Sequence, residues 1–253
     1  MVLEQIHFRK PDHMGVEQEF FLIDKKAYEK GIILPVPKAK EFLRRISGYY
    51  LNNEWTYELS ACQVEYRTDP HLDLNDIIFE LKQAFDTGSS LAHEMGCCLY
   101  AVDVIDIPNF PMDIYPTKRY KEISKFMARD VLLAALQVTG IHIHYGCRDL
   151  IHALAVYNIL VEYIVCFMEM GDSSNGKRLD LYKKVAPNMM PPFFENTSDF
   201  EKKVAVFGSL SNCWYLIRIT RYGTVEIRAF GSVSNYDKVL NWLKEVKRIV
   251  SNI

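Results

Sequence analysis

Six short stretches of this chain alternate apolar residues with carboxylates, imidazoles or guanidiniums. A strand period of two turns each alternation into two chemically distinct faces. In residues 15–21, Glu17 and Glu19 share one face, with Val16 and Phe20 on the other. Residues 56–60 set Glu58 against Tyr57 and Leu59, and residues 63–67 set Glu65 and Arg67 against Val64 and Tyr66. Residues 141–144 separate His142 and His144 from two isoleucines. Residues 216–219 project Arg218 away from Ile217 and Ile219, and residues 224–228 project Glu226 and Arg228 away from Val225 and Ile227. Taken alone, Glu17 and Glu19 read as the solvated face of a half-exposed strand. Five more strands with the same asymmetry argue for a functional face.

Between these strands the apolar period lengthens to about 3.6. Asp73 can cap a helix carrying Leu74, Ile77, Ile78, Leu81 and Phe85 on one side. Thr117 can open another that runs through Tyr120, Ile123, Met127, Leu132 and Leu136 to a stop at Gly140. A third spans residues 149–170, a shorter one begins at Ser198, and the last starts near Asn235. Prolines break the pattern in residues 31–40 and 107–116, while residues 171–176 with Pro187, Pro191 and Pro192 make the longest irregular region and the best lid candidate. No repeat, low-complexity tract or linker divides residues 1–253, so a single domain is expected. Its fold class is α+β: a curved, mainly antiparallel sheet with helices on the outside and a concave polar face.

The 49% hydrophobic content supports a substantial core. Thirty basic and 32 acidic side chains leave a net charge of −2, without the basic excess of an electrostatic nucleic-acid binder. The most apolar helix candidate, residues 153–170, is interrupted by Asn158, Glu162 and Glu169, which argues against a membrane span. No apolar segment follows a basic start, so a cytoplasmic protein is expected. The six cysteines have no zinc-site spacing and read as reduced thiols. A homo-oligomer is compatible with all of this.

Carboxylates from several strands gathered in one concavity repel each other, and either raised pKa values or bound divalent cations must offset that repulsion. Hard oxygen ligands with an imidazole among them suit Mg²⁺, and Mn²⁺ also fits. Arginines on neighbouring strands match phosphate or a substrate carboxylate through two oxygens at once. Metal ions facing arginines across a carboxylate-lined trough is the arrangement that phosphoryl transfer from ATP requires. The sequence has neither a P-loop nor a G-x-G-x-x-G helix start, so a nucleotide would be held on the sheet face.

Five segments, in order, resemble the successive motifs of the glutamate-cysteine ligase type 2 family, also called carboxylate-amine ligases. They are Gly-Val-Glu-Gln-Glu-Phe-Phe-Leu-Ile-Asp (15–24), Glu-Leu-Ser-Ala-Cys-Gln-Val-Glu-Tyr-Arg-Thr (58–68), Arg-Tyr (119–120), Thr-Gly-Ile-His-Ile-His-Tyr-Gly (139–146) and Gly-Thr-Val-Glu-Ile-Arg (223–228). The resemblance implies a glutamine synthetase/guanido kinase-like catalytic domain holding ATP and two or three magnesium ions. It implies metal ligation by Glu17, Glu19, Glu58, Glu65, His142 and Glu226. Arg218 and Arg228 become catalytic contacts to the phosphates, and His144 is grouped with them at the nucleotide unless it only positions its neighbours. Arg178, in the place of a Ser-Arg element, is assigned with Arg67 to the substrate carboxylate, and a structural ion pair is the other reading of Arg67. Gly231 stands where an aspartate often follows the last glutamate-arginine pair.

The implied reaction passes the γ-phosphoryl of ATP to a substrate carboxylate, glutamate by family default. An amine, cysteine by the same default, then attacks the acyl phosphate to form an amide. Two alternatives remain at this level: a non-catalytic nucleotide- or metal-binding module on the same fold, and a metal-dependent phosphohydrolase. Replacing Glu226 is expected to abolish turnover and leave the fold intact.

Overall fold

The computed structural model describes residues 6–48, 54–251 and 253. Seven strands among them form one antiparallel sheet: β1 (Met14–Asp24), β2 (Trp55–Tyr57), β3 (Gln63–Arg67), β4 (Cys97–Tyr100), β5 (Gly140–Gly146), β6 (Ile217–Ile219) and β7 (Thr224–Gly231). Their order is β2-β3-β1-β5-β7-β6, with β4 paired to the second half of β1. Each of the six alternating stretches overlaps a strand, although β2 ends at Tyr57 and leaves Glu58 outside it. β4 escapes the sequence reading because Cys-Cys-Leu-Tyr is apolar almost throughout and has no alternation to detect.

One face of the sheet is the main core. Val16, Phe20, Leu22, Ile141, Ile143, Val225 and Ile227 meet Leu81, Phe167 and Trp242 from the helices Leu74–Glu94, Ile164–Gly171 and Tyr236–Val250. Phe230 of β7 stacks on Trp242 at 4.7 Å between ring centroids. The expected caps form: Asp73, Thr117 and Asn235 each accept backbone N–H groups at their helix starts. Two expected helices are broken. The one after Thr117 divides into Lys118–Lys125 and Arg129–Leu136, and the one after Asp149 bends by 63° between Leu150–Glu162 and Ile164–Gly171. No single helix among the described residues is long and apolar enough to cross a membrane.

The stretch expected to be irregular contains the helix Lys177–Val185. Its buried positions are Arg178, Leu179 and Tyr182, so its inward stripe reads as apolar only once an arginine is counted as core. Beyond Glu19 the polar face of β1 continues as Phe21 and Ile23, which join Cys98, Ile105, Phe110 and Leu136 in a second, smaller core. That cluster covers one end of the polar face and leaves the carboxylates at the other. Gly231 packs against residue 103, where an added Cβ would lie 2.4 Å from the Asp103 Cβ. The Asp103 side chain therefore occupies the space that a side chain at 231 would need.

Candidate active site

Antiparallel register converts the separate alternations into one polar surface. Across β1 and β3, Glu17 is paired with Arg67 and Glu19 with Glu65. On the other side of β1, Glu17 is paired with His142 of β5, and His144 is then paired with Glu226 of β7, itself paired with Arg218 of β6. The β5–β7 register shifts between Ile141 and Ile143, so Arg228 and Ala229 together stand opposite His142. Such a bulge bends the strand and re-aims its side chains.

The side chains converge around Glu17. One of its carboxylate oxygens lies 3.2 Å from His142 Nδ1, and the other lies 3.6 Å from His144 Nε2 and 3.4 Å from Arg67 Nε. Arg67 also donates to Glu65 at 2.6 Å. Arg218 binds both oxygens of Glu226, at 2.5 and 3.2 Å, and donates as well to the Cys213 carbonyl. Arg228 donates to the same Glu226 and approaches His142 Nδ1 at 3.5 Å. Glu19 accepts from the Gly140 N–H at 2.6 Å. Arg178 is buried beneath the Glu19 end of this surface, where it lines a small cavity with Glu19, Glu58 and Arg228, and it donates to the backbone carbonyls of Thr139, Ala229 and Arg228.

Electrostatics divide the carboxylates into two groups. Burial raises the pKa of Glu226, but Arg218 and Arg228 outweigh it and hold this carboxyl far below its ordinary range. Burial is likewise outweighed at Glu17 by His144 and His142. At the other end, burial and the neighbouring Glu65 push Glu19 up to about 8, and burial and Glu19 push Glu58 up to about 7. Burial together with Glu17 raises Glu65 as well. Burial and Arg228 push His142 down to about 4, whereas at His144 the charge of Glu17 outweighs burial and raises the pKa.

Several cavities open over this floor. One of about 350 Å³ is bounded by Glu17, His144 and Glu226 below and by Tyr57, Arg119 and Tyr222 around it. Another of about 170 Å³ reaches Glu19, Glu58 and Glu65 beneath Ile123, Met127 and Trp214. These wall residues were not legible as a site. Tyr57 was placed on the opposite face from Glu58, but β2 ends at Tyr57, and its ring stacks on Tyr115 at 4.5 Å and lines the cavity. The Arg119-Tyr120 motif was the one available signal, and both residues face the trough.

A model of glutamate-cysteine ligase family 2 (GCS2) matches residues 13–168, more than half of the chain. The chain belongs to that family. Within the GCS2 match lie Glu17, Glu19, Glu58, Glu65, His142 and His144, while Arg218, Glu226 and Arg228 follow it in sequence and reach the site through sheet pairing, and Arg178 through its helix. A Bradyrhizobium protein (strain ORS 278) provisionally named glutamate–cysteine ligase 2 is 25% identical over 240 residues, covering 85% of this chain and 55% of its own length. A Micrococcus luteus protein of the same name is 23% identical over 250 residues, covering 89% of this chain and 61% of its own. This GCS2 chain thus spans little more than half the length of these relatives. Among solved structures, a bifunctional glutathione synthetase from Pasteurella multocida superposes with a TM-score of 0.62 at 12% identity, over 98% of this chain and 38% of that one. GmaS without ligand gives 0.54 at 14%, over 98% and 55%. These likenesses establish a shared fold.

Among the described residues the GCS2 site offers three groups of donor atoms, those of each group lying within 4.8 Å of one another: Glu17–His144–Glu226, Glu17–Glu65–His142 and Glu19–Glu58–Glu65. Glu17 and Glu65 are shared, so the groups form a chain along the trough. His144 adds an independent sign of fit. Its Nε2 is buried without a hydrogen-bond partner, while Nδ1 is held at 2.9 Å from the Thr224 hydroxyl. A metal-ligating histidine is ordinarily oriented in this way through its second nitrogen. His144, assigned from sequence to the nucleotide, is therefore also a candidate metal ligand.

Proposed function

We propose that this chain is an ATP- and Mg²⁺-dependent carboxylate-amine ligase of the glutamate-cysteine ligase type. One observation carries the reading: three oxygen-rich donor groups are linked through shared Glu17 and Glu65 and face the guanidiniums of Arg218 and Arg228. Glu17, His144 and Glu226 would hold one cation, Glu17, Glu65 and His142 a second, and Glu19, Glu58 and Glu65 a third, with Mn²⁺ able to substitute. When bound, magnesium supplies charge neutralisation of the triphosphate.

The residues of the chain prepare the reaction in three ways. Carboxylates spaced along the trough would fix the positions of the cations, whose charge would let the triphosphate lie in line with the acceptor carboxylate. Arg228, with Arg218 behind Glu226, places positive charge where the transferred phosphoryl group spreads its own. Arg67 lies beside Glu17 and Glu65 at the rim, within reach of a substrate carboxylate, and Tyr120, Ile123, Met127 and Trp214 exclude water from the acyl phosphate. The bond from the γ-phosphorus to ADP breaks as the carboxylate oxygen bonds to phosphorus. The amine nitrogen then attacks the carbonyl carbon, and phosphate leaves. Glutamate and cysteine are the acid and amine to test first.

The test incubates the protein with Mg-ATP and a panel of amino acids and amines, measuring ADP and phosphate release together with amide formation by mass spectrometry. Amide formation matched to ADP release is expected. Mg-ATP binding without turnover for any pair would replace this reading with a binding module, and phosphate release independent of acceptor would replace it with a hydrolase.

A further inference from the structure

Among the described residues, no hydrogen bond or ion pair joins the helix Lys177–Val185 to the three carboxylate groups, yet two of its side chains converge on Arg228 beside Glu19 and Glu58. The bulge at His142 leaves carbonyls of β7 outside the regular ladder with β5. Arg178 takes them up: Nε donates to Thr139 O at 2.8 Å, and the two terminal nitrogens donate to Ala229 O and Arg228 O, both at 3.2 Å. The planar fork thus spans both strands of the bulge and fixes the backbone from which the Arg228 side chain departs. Gly140 makes this approach feasible, since a Cβ there would lie 2.5 Å from an Arg178 nitrogen.

One helical turn further on, Tyr182 stands on the same side of the helix, as residues four apart must. Its hydroxyl donates to the Trp214 carbonyl at 3.1 Å and accepts from Arg228 Nε at 3.4 Å. The Arg228 guanidinium is then bracketed, with Nε against Tyr182 and a terminal nitrogen against Glu226. Both supporting residues are almost fully buried, at 3% and 5% exposure, at the narrow end of the trough beside Glu19 and Glu58, and their polar atoms are engaged with protein partners.

We infer that Arg178 and Tyr182 are positioning residues that set, respectively, the backbone and the guanidinium of Arg228. This inference rests on the ligase reading for its kinetic consequence but not for its structural one, and the experiment separates the two. Tyr182→Phe keeps the buried ring and removes the hydroxyl. Its kcat falls by about tenfold, the scale of one net hydrogen bond, while KM for acid and Mg-ATP and the affinity for Mn²⁺ stay within about twofold of wild type. Arg178→Lys lowers kcat further because a point charge cannot serve three carbonyls. In ¹⁵N spectra of arginine Nε–H groups, the Arg228 resonance is protected from solvent exchange in wild type and loses that protection in Tyr182→Phe. Unchanged Arg228 exchange in Tyr182→Phe overturns the positioning role even if the protein proves to have no ligase activity. A variant Arg178→Lys that raises KM for the acid alone, with kcat intact, overturns it in favour of a direct substrate contact.

Discussion

His144 Nε2 and Glu17 Oε1 stand 3.6 Å apart across β5 and β1, too far for a hydrogen bond, and Nε2 has no other partner. Two ligand atoms each about 2.1 Å from one ion are separated by about 3 Å or more, so the spacing suits a shared cation. His144→Ala should weaken Mn²⁺ binding by at least about tenfold, read by titration calorimetry. An isotherm identical to that of the wild type would remove His144 from the ligand set.

Glu226 is fully buried between Arg218 and Arg228, so replacing it affects more than a metal ligand. Sequence alone gave the expectation of lost turnover in an intact fold. The two facing guanidiniums change that expectation, because removing one partner from a buried ionic cluster typically costs about 3–5 kcal/mol. Glu226→Ala should therefore be inactive and markedly less stable to urea. Added loss of the midpoint without loss of turnover would contradict its place at the site.

Arg228 makes contacts that a lysine cannot reproduce together, with Glu226 and Tyr182 on different nitrogens. Arg228→Lys should lower kcat by about 10²-fold or more, comparable to deleting a transition-state donor, with ATP binding largely retained. Steady-state kinetics with both substrates varied would check this, and an unchanged kcat would mark the arginine as structural.

Glu19 and Glu58 have pKa values raised to about 8 and about 7, so the metal-free folded protein binds more protons than the unfolded chain between the ordinary carboxylate range and pH 8. Stability must then fall as pH rises through that interval. His142, lowered to about 4, has the opposite slope, but only below about pH 6.5, where an unperturbed histidine titrates. His144, raised, adds to the fall above that pH. Thermal midpoints of chelator-treated protein should therefore drop from pH 6.5 to 8. Saturating Mn²⁺ should flatten or reverse the slope, because binding to these carboxylates releases their protons. A metal-free midpoint that rises over the same range would refute the electrostatic picture.

β1, β3, β5, β6 and β7 were legible because carboxylates, imidazoles or guanidiniums alternate with apolar residues in them, whereas β2 stops before Glu58 and β4 has no alternation. Glu17, Glu19, Glu65, His142, His144, Arg218, Glu226 and Arg228 all occupy the polar face that the period of two assigned to them. The end of β1 was read less completely: after Glu19 the polar face turns apolar at Phe21 and Ile23, and a second core forms there that no alternation announced. The helix Lys177–Val185 was missed because its key inward residue is Arg178, which a hydrophobicity pattern counts as solvent-facing.

Sequence by itself determined which side chains share a face, since alternation is local and depends only on strand geometry. It could not determine which strands are neighbours. Register across β3, β1, β5, β7 and β6 decided that Glu17 stands between Arg67 and His142, and that Glu226 meets both arginines. The same tertiary step sent Arg178 to the β5–β7 bulge beneath the Glu19 end of the trough, because carbonyls in a buried bend need donors and a guanidinium can serve several at once.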